Sequence, residues 1–325
     1  MAAMTCPIGT NIQKAAEIVR DGGLVAFATE TVYGLGANAL DVDAVAKLFE
    51  VKERPRFDPI ICHISSATQL ETLVDDVPDV ARRMAECFWP GPLTMVLEKK
   101  PCVPDLVSSG LPTVGVRVPN HPVALELLRA ADTPIAAPSA NRFGQISPTC
   151  AEHVAEQLGE RIDYILDGGP CPIGVESTVV EVTETGTRLL RPGGLPVEEI
   201  ERRIGEVEIT VQRADDSEPA AQLAPGMLPK HYAPTTQLVL SATPVAPLDG
   251  ERVGLLTLMP LDETSGFTAV EVLSQTGRLA EAAAGFFAAM RRLDGLGLDR
   301  IIATPFPEAG LGRALNDRLR RASAP

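Results

Sequence analysis

The chain has 325 residues, 45% hydrophobic and 22% charged, which is typical of a globular protein long enough to form two domains. Its formal net charge of −14 argues against a broad nucleic-acid-binding surface, because such surfaces need clustered Lys and Arg. That charge does not exclude an anionic small molecule, since a few cations in one cleft can bind it.

The cysteines and the apolar segments indicate the compartment. Six cysteines are scattered without a C-x-x-C pair, which argues against a zinc site or a disulfide framework and favours a reducing cytoplasm. No uncharged apolar run reaches the roughly 18 residues of a membrane span, and no basic start precedes an apolar block at the N-terminus. We therefore expect a cytoplasmic protein without a secretory signal or a membrane anchor.

The first predicted elements lead to a polar segment that follows a buried strand. Apolar spacing predicts a helix over residues 11–20 and a strand over 24–28. Residues 29–36 then place hydroxyls, a carboxylate and two glycines beyond the strand, where ligands bind in open α/β sheets. Taken alone, this segment does not separate a ligand site from a polar strand end followed by a glycine turn, because glycine suits both.

A basic loop follows the next predicted helix, at 41–51. Residues 52–59 contain three cations and two prolines, and the prolines exclude a regular helix or a central strand. Such a loop before a predicted strand at 60–64 suits an anion site, although an ordinary solvated turn explains it about equally well. His63 lies alone among aliphatic residues in that strand, where a histidine is more often structural than catalytic.

Arg117 is the next candidate, inside an otherwise apolar strand predicted over 114–119. A buried arginine is rare unless it is paired, so Arg117 either contacts a protein carboxylate or binds an anionic ligand. The other elements predicted around it are helices at 77–88 and 121–131 and strands at 93–97, 134–137 and 179–182.

Further strand-end loops lie at 138–149, 168–178 and 189–194. The first is rich in hydroxyl and amide groups, a composition that turns of Asn, Gly and Ser commonly share. The second ends in Ser177 and Thr178, and the third contains Arg191. Because several such loops also contain single cations, we infer that they share one cleft.

The last third of the chain changes in character. Residues 205–235 are first acidic and then proline-rich, as in a long linker, although His231 and Tyr232 between prolines are unusual for a spacer. Residues 236–325 predict a small α/β unit without a cluster of catalytic groups, so we expect a regulatory or lid role there. Its predicted elements are strands at 237–241, 252–258 and 299–303 and helices at 276–293 and 312–321.

Together these segments resemble the threonylcarbamoyl-AMP synthases of the YrdC-like fold, in their two-domain long form. The matching motifs, in chain order, are TETVYGLG (29–36), K-x-R-P (52–55), FWPGPLT (88–94), VRVP (116–119), PSAN (138–141), SPT (147–149), ESTVV (176–180), LRPGG (190–194) and APG…KHYAP (224–234). The motifs span residues 8–235, and the tail matches the family's small C-terminal domain more loosely. One motif would be weak evidence, but so many in one order argue strongly against chance.

The resemblance implies a YrdC-like catalytic domain at 8–204, a linker or lid at 205–235 and a small accessory domain at 236–325. The first would be a twisted open mixed α/β sheet flanked by helices, and the last a Rossmann-like α/β unit. The implied reaction converts L-threonine, bicarbonate or CO2, and ATP with Mg2+ into threonylcarbamoyl-AMP and pyrophosphate. A separate transferase would then use the product to modify the adenosine next to the anticodon of certain tRNAs. Direct stable binding of nucleic acid and contact with a membrane are not implied.

The resemblance also assigns roles by position. The implied L-threonine-binding residues are Thr31, His63, Arg117, Ala137 and Ser177. The implied ATP-binding residues are Arg54, Asp58, Thr113, Ser139, Asn141, Ser147, Arg191 and Tyr232. Lys52 and Arg54 are the implied catalytic residues, which would neutralise charge during adenylyl transfer. No covalent nucleophile and no metal ligand of the protein is implied, because the carbamate formed from threonine is itself the nucleophile.

Two positions depart from the family pattern. Glu53 stands where the family usually has Gly, and Asp58 stands where it usually has Asn. Both add negative charge beside the predicted phosphate site, which costs affinity unless Arg56 or magnesium offsets it. We expect Asp58 to take the role of the asparagine while it contacts the metal.

Two other functions fit the same fold. One is a non-catalytic relative that binds RNA or ribosomes through its concave surface, and the other is a carbamoyl-transfer domain that uses another donor. Chains of the second kind carry additional domains, whereas the C-terminal unit and the KHYAP segment here match the long synthase. The acidic net charge and the intact set Lys52, Arg54, Ser139 and Asn141 favour the synthase.

Overall fold

The computed structural model describes residues 6–184, 186–209 and 231–324, which form one large and one small β-sheet. The strands of the large sheet are β1 (Ile8–Gly9), β2 (Val25–Phe27), β3 (Gly34–Asn38), β4 (Cys62–His63), β5 (Leu93–Glu98), β6 (Thr113–Arg117), β7 (Ile135–Ala136), β8 (Tyr164–Leu166), β9 (Thr178–Thr183), β10 (Gly186–Arg191) and β11 (Glu208–Ile209). The strands of the small sheet are β12 (Gln237–Leu240), β13 (Val253–Thr257), β14 (Ala269–Val272) and β15 (Arg300–Ala303).

Helices cover the sheets and fall near the predicted positions, with several short additions. They are α1 (Ile12–Arg20), α2 (Val42–Lys52), α3 (Leu70–Leu73), α4 (Asp79–Phe88), α5 (Asp105–Ser108), α6 (Pro122–Ala131), α7 (Ala151–Leu158), α8 (Val197–Ile204), α9 (Leu279–Asp294) and α10 (Leu311–Ala322). Among the described helices, none is both long and apolar enough to cross a membrane.

The large sheet is mixed, with the strand order β1-β8-β2-β3-β7-β4-β6-β5-β9-β10-β11. Strand β4 runs parallel to β6, and the register places His63 opposite Arg117. Strand β7 runs antiparallel to both β3 and β4. The predicted open mixed α/β sheet is confirmed, and its centre brings together the strand ends that the sequence marked as polar.

Helix α2 begins and ends where local chemistry allows. The Asp41 side chain accepts hydrogen bonds from the backbone N–H groups of Asp43 and Ala44, which otherwise have no partner at a helix start. Glu53 ends the helix with a left-handed backbone at φ 55°. The prediction that the loop begins at Lys52 is therefore wrong by one residue, because Lys52 is the last residue of the helix.

The two glycines of residues 29–36 lie in a strand and not in the turn that the sequence allowed. Gly34 and Gly36 belong to β3, which pairs antiparallel with β2. A Cβ atom on Gly36 would lie 2.7 Å from Cγ2 of Ile135 and 2.9 Å from Cε1 of Phe27. Close packing against neighbouring strands explains this glycine, rather than a tight turn or a close approach to a ligand.

The small domain is a parallel sheet in the order β12-β15-β13-β14, with α9 and α10 packed on it. This confirms the predicted small α/β unit, although the sequence did not predict edge strand β14. The domain boundaries at 204 and 236 stay a prediction, and residues 210–230 of the predicted linker lie outside the described residues.

Loops of the large sheet pack into the core of the small domain. One buried cluster joins the two parts, and it includes Val32, Ile146, Val175, Tyr232, Phe286 and Phe287. Arg291 of α9 also donates a hydrogen bond from Nη2 to the carbonyl oxygen of Ile146. The small domain therefore supports the same loops that the sequence predicts to form a cleft.

Gly174 stands where one of these loops lies close to α9, and it gives a stability prediction. Its backbone is left-handed at φ +77°, and an added Cβ would lie 2.2 Å from the carbonyl oxygen of Ala283 in α9. We expect Gly174→Ala to lower the free energy of unfolding by about 3 kcal/mol, measured by urea denaturation, since backbone strain and overpacking both destabilise.

Gly110 provides the matched control for Gly174. Its φ is also +77°, but a Cβ there would meet no heavy atom within 4 Å. Gly110→Ala should therefore lower the free energy of unfolding only by the cost of backbone strain, about 1–2 kcal/mol. Equal losses in the two variants would show that the contact between residue 174 and α9 does not contribute to stability.

Candidate active site

A cavity opens beyond the ends of the central strands. Its lining contains three arginines and a single described carboxylate, so it is positive within a chain of net charge −14. The described lining residues are Thr29, Thr31, Val32, Gly34, Arg54, Ile61, His63, Arg117, Ala137, Pro138, Ser139, Glu176, Ser177, Arg191, His231 and Tyr232. The strand-end loops that the sequence predicts to share one cleft therefore do lie around one cavity.

Arg117 is held in a fixed orientation at the end of β6. Its Nη2 lies 2.6 Å from Oε1 of Glu30, and its Nη1 donates to Oγ1 of Thr31 at 2.9 Å. Its Nε donates to the carbonyl oxygen of Gly91 at 3.2 Å. Arg117 thus contacts a protein carboxylate, which confirms the first interpretation of this buried cation. It also lines the cavity, where binding of an anionic ligand stays a prediction.

His63 lies beside Arg117 on the neighbouring strand and is neutral at physiological pH. Burial, and after it the positive charge of Arg117, lowers the pKa of His63 to about 3. The imidazole packs edge-on against Phe27, with ring centroids 6.1 Å apart. A neutral imidazole beside a fixed guanidinium can orient a ligand by hydrogen bonding without adding charge.

This burial makes stability depend on pH. Because the pKa of His63 is about 3 when folded and ordinarily 6.5, its contribution is fully present above pH 6.5 and is lost as pH falls towards 3. We expect His63→Gln to reduce the slope of unfolding free energy against pH by about 1.4 kcal/mol per unit within that window. Urea denaturation at pH 7, 6, 5 and 4 measures it.

His153 supplies the comparison for that series. Burial lowers its pKa to about 4, so His153→Gln should reduce the slope of the unfolding free energy against pH over a narrower range that ends near pH 4. An unchanged slope in His63→Gln would show that the histidine is not kept neutral by the fold.

Arg54 is a second cation of the cavity lining and is anchored by its own loop. Its Nη2 lies 2.8 Å from Oδ2 of Asp58 and also donates to the carbonyl oxygen of Pro59 at 2.8 Å. Arg54 lines the cavity, whereas Asp58 is fully buried behind it. Asp58 therefore orients Arg54, and its contact with a metal stays a prediction.

Glu53, the other departure from the family pattern, also points away from the cavity. Its Oε1 lies 2.6 Å from Nη1 of Arg161 at an exposed position. Its left-handed backbone explains why glycine suits this position, since non-glycine residues lose about 1–2 kcal/mol there. The expected cost of Glu53 to anion binding thus does not follow, because Arg161 balances the charge.

Lys52 reaches the loop after β7 rather than the cavity lining. Its buried Nζ donates to the carbonyl oxygens of Ser139, at 2.5 Å, and Asn141. Burial and the nearby charge of Arg54 hold the pKa of Lys52 well below its usual value. Asn141 in turn donates from Nδ2 to the carbonyl oxygens of Arg142 and Gln145. Both residues fix the loop that presents Ser139 to the cavity.

Another part of the cavity lining comes from the segment before β9 and the end of β10. Ser177 Oγ lies 2.8 Å from Oγ1 of Thr94, and Arg191 donates from Nη2 to the carbonyl oxygen of Ser177 at 2.9 Å. Ser147 lies just behind the lining and donates from Oγ to Oε1 of Glu176 at 2.5 Å. The bond between Ser147 and Glu176 joins two motifs that are 29 residues apart.

Residues 231–233 close the remaining side. Tyr232 has a left-handed backbone at φ 63° and is buried against His231 and Phe287, with ring centroids 4.1 and 5.8 Å away. The N–H of Ala233 donates to the carbonyl oxygen of Gly144 at 2.8 Å, which ties the segment to the loop after β7.

The predicted site residues divide into three groups. Those on the cavity lining are Thr31, Arg54, His63, Arg117, Ala137, Ser139, Ser177, Arg191 and Tyr232. Those in the layer behind it are Lys52, Asp58, Asn141 and Ser147. Thr113 is set apart, because it stands at the other end of β6, about 13 Å along the strand from Arg117, and borders a separate acidic depression.

Two acidic residues that the cavity depends on were not among the predicted site residues. Glu30 is the partner of Arg117, and Glu176 is the carboxylate of the lining. Both stand inside motifs that carry the resemblance, TETVYGLG and ESTVV, so their presence there was a usable signal. No group of three or more His, Cys, Asp or Glu that could bind a metal occurs in the described part of the chain.

Known protein families match this architecture along nearly the whole chain. A family model of Sua5, YciO and YrdC proteins, described as telomere recombination, matches residues 17–193. A second, described as the C-terminal domain of threonylcarbamoyl-AMP synthase, matches residues 195–324. The chain therefore belongs to the Sua5/YciO/YrdC family, in the two-domain form that carries this C-terminal domain.

Individual relatives agree with the two-domain assignment. The chain is 46% identical to the threonylcarbamoyl-AMP synthase of Pyrococcus abyssi, covering 96% of this chain and 94% of the relative. It is 43% identical to the threonylcarbamoyl-AMP synthase of Bacillus subtilis, covering 98% and 96%. The structure of P. abyssi Sua5 complexed with L-threonine matches at a TM-score of 0.88 with 45% identity, covering 96% and 94%. These matches confirm the resemblance that the motifs indicated.

Proposed function

We propose that this chain is an L-threonylcarbamoyladenylate synthase, which makes threonylcarbamoyl-AMP and pyrophosphate from L-threonine, bicarbonate or CO2, and ATP. The product would serve threonylcarbamoyladenosine formation next to the anticodon of tRNA. The observation that carries the proposal is one cavity whose lining contains both Arg117 and Arg54, each oriented by a buried carboxylate. Full-length relatives at 46% and 43% identity that are named threonylcarbamoyl-AMP synthase support the same reaction.

The threonine carboxylate would bind at Arg117. That guanidinium is buried, oriented by Glu30 and accessible from the cavity, which are the properties that a charge-assisted carboxylate contact needs. The hydroxyls of Thr31 and Ser177, the neutral ring of His63 and the backbone of Ala137 line the same region and would orient the rest of the amino acid.

The nucleotide would bind along Arg54, Ser139, Arg191 and Tyr232, with Lys52, Asn141 and Ser147 fixing the loops behind them. Thr113 borders another depression and does not line this cavity, so its contact with the nucleotide stays a prediction from the resemblance. An oxygen of threonine carbamate would attack the α-phosphorus of ATP, and the bond from that phosphorus to pyrophosphate would break. Arg54 and Arg191 would stabilise the charge on the phosphates, so catalysis consists of positioning and electrostatic stabilisation.

A magnesium ion carried by ATP would neutralise part of the triphosphate charge. The described residues do not form a preassembled cage for it, because both oxygens of Glu176 are engaged by Ser147 and Arg318. Such an ion would be held mainly by phosphate oxygens and water, as is usual for magnesium with nucleotides. We derive no step from a direct contact between this ion and the protein.

The carbamate and the mixed anhydride are labile in water, so the closed position of Tyr232 would protect them. A labile product would pass quickly to a transferase that acts on tRNA, which supports a cytoplasmic location for this chain. Stable binding of nucleic acid by this chain itself is not required.

The test is threonine-dependent release of pyrophosphate by the purified full-length protein with ATP, magnesium, L-threonine and bicarbonate. We expect release that requires L-threonine and is not replaced by L-alanine. No release, together with tight binding of tRNA or ribosomes, would overturn the proposal and favour the non-catalytic relative.

A further inference from the structure

Helix α10 of the small domain delivers one arginine to the back of the cavity. Arg318 is fully buried, and its Nε donates to Oε2 of Glu176 at 2.9 Å. Its Nη1 donates to the carbonyl oxygen of Pro192 at 2.7 Å. Its guanidinium carbon lies 5.1 Å from the ring centroid of Tyr232, within the range of a cation–π contact.

These three partners come from three separate segments of the cavity wall. Glu176 precedes β9, Pro192 follows β10, and Tyr232 belongs to the segment that closes the cavity. A single side chain of the small domain therefore fixes their positions relative to one another.

The positive charge of Arg318 matters as much as the contacts that its side chain makes. Glu176 lines the cavity and is 7% exposed, so without a cation it would be a buried negative charge facing the nucleotide. A buried charge without its partner is strongly unfavourable, and it would also repel the phosphates of ATP. Arg318 removes this repulsion while Glu176 keeps its hydrogen bond from Ser147.

The rest of α10 holds the arginine and the closing segment together. Oδ2 of Asp317 lies 2.7 Å from Nη1 of Arg318, and Oδ1 of Asp317 accepts from Nε of Arg321 at 3.1 Å. The carbonyl oxygen of Arg321 in turn accepts from the backbone N–H of His231 at 3.2 Å. One helix thus contacts both Glu176 and the closing segment at His231 and Tyr232.

We propose that Arg318 is a positioning residue for the nucleotide, supplied by the small domain, and that it acts by neutralising Glu176 and fixing Tyr232. The ATP-binding half of the cavity is then complete only when α10 is docked against the large sheet. This inference rests on the proposed function, because it concerns the nucleotide of that same site.

The experiment measures binding and activity separately in the full-length protein. Calorimetry measures the affinity for ATP and the affinity for L-threonine. The rate of pyrophosphate release is measured at saturating substrate concentrations. We expect Arg318→Met to weaken ATP binding about 100-fold, because a buried ion pair loses one partner. The same substitution should weaken L-threonine binding less than about threefold. Arg318→Lys should recover part of the loss, since it restores the charge without the planar fork.

A second substitution separates charge from packing. Glu176→Gln removes the carboxylate charge but keeps an acceptor for Ser147, so Arg318→Met with Glu176→Gln should bind ATP at least about tenfold more tightly than Arg318→Met alone. Arg313 is the matched control, because it also stands on α10 and crosses to the large domain, where it pairs with partly exposed Glu198 at 3.3 Å. Arg313→Met should leave both affinities unchanged.

Two results would overturn the role of Arg318. They are equal ATP affinities in Arg318→Met and Arg313→Met, and no recovery when Glu176→Gln is added to a folded Arg318→Met. If Arg318→Met does not fold, the ATP affinities of Arg318→Lys and of the double variant (Arg318→Met with Glu176→Gln) decide the question, ranked in the same way. Wild-type protein that binds ATP without releasing pyrophosphate overturns the proposed function alone, and wild-type protein that binds no ATP overturns both.

Discussion

Arg117→Ala is expected to raise the KM for L-threonine by about 100-fold or more, while the KM for ATP changes by less than about threefold. The guanidinium is buried and offers a directed contact for one carboxylate, and water in its place would carry no positive charge. Because Arg54 and Arg191 are held by other partners, the nucleotide side of the cavity keeps its cations. Initial rates of pyrophosphate release at varied threonine and varied ATP measure the two KM values.

The partner of Arg117 needs its own control. Arg117→Ala leaves Glu30 buried without its cation, which destabilises a fold by about 3–5 kcal/mol, so lost activity could reflect lost folding. Arg117→Ala combined with Glu30→Gln removes both charges and should regain stability without regaining threonine affinity. If the double variant binds threonine as tightly as the wild type, Arg117 does not bind the carboxylate.

The elements that the sequence predicted well are those set by local chemistry. Helix α2 follows from its apolar spacing and its Asp41 cap, and both are properties of a few neighbouring residues. Strand β4 is shorter than predicted, because only Cys62 and His63 pair with both β6 and β7. Strand β14 was missed, since it lies at a sheet edge, where half-buried residues show weak alternation.

The site residues also divide into those that local motifs predicted and those whose contacts only the folded structure reveals. Motifs of neighbouring residues predicted Thr31, Arg117 and Ser177, all of which line the cavity. The pairing of Arg117 with Glu30 depends on how the connection between β2 and β3 folds over β6, which no local pattern encodes. The contact of Arg318 with Glu176 spans 142 residues and two domains, so only the packed structure reveals it.

Arg54→Met is expected to lower kcat by about 100- to 1000-fold, the usual effect of removing one preorganised donor from developing charge. Arg54 is the lining cation of the loop after α2, and its bonds to Asp58 and Pro59 hold it still before substrate arrives. Arg54→Lys should recover only a small part of the lost kcat, because an ammonium cannot contact Asp58, Pro59 and a phosphate in one plane. Threonine-dependent pyrophosphate release at saturating substrates measures kcat.

Asp58→Asn distinguishes the two roles that its carboxylate could have. If Asp58 only orients Arg54, the variant should weaken ATP binding and lower stability while the magnesium concentration for half-maximal rate stays the same. Arg54→Met combined with Asp58→Asn should then be no less active than Arg54→Met alone, because the aspartate acts through the arginine. A shifted magnesium requirement in Asp58→Asn at unchanged ATP affinity would instead show that this buried carboxylate reaches the metal during the reaction.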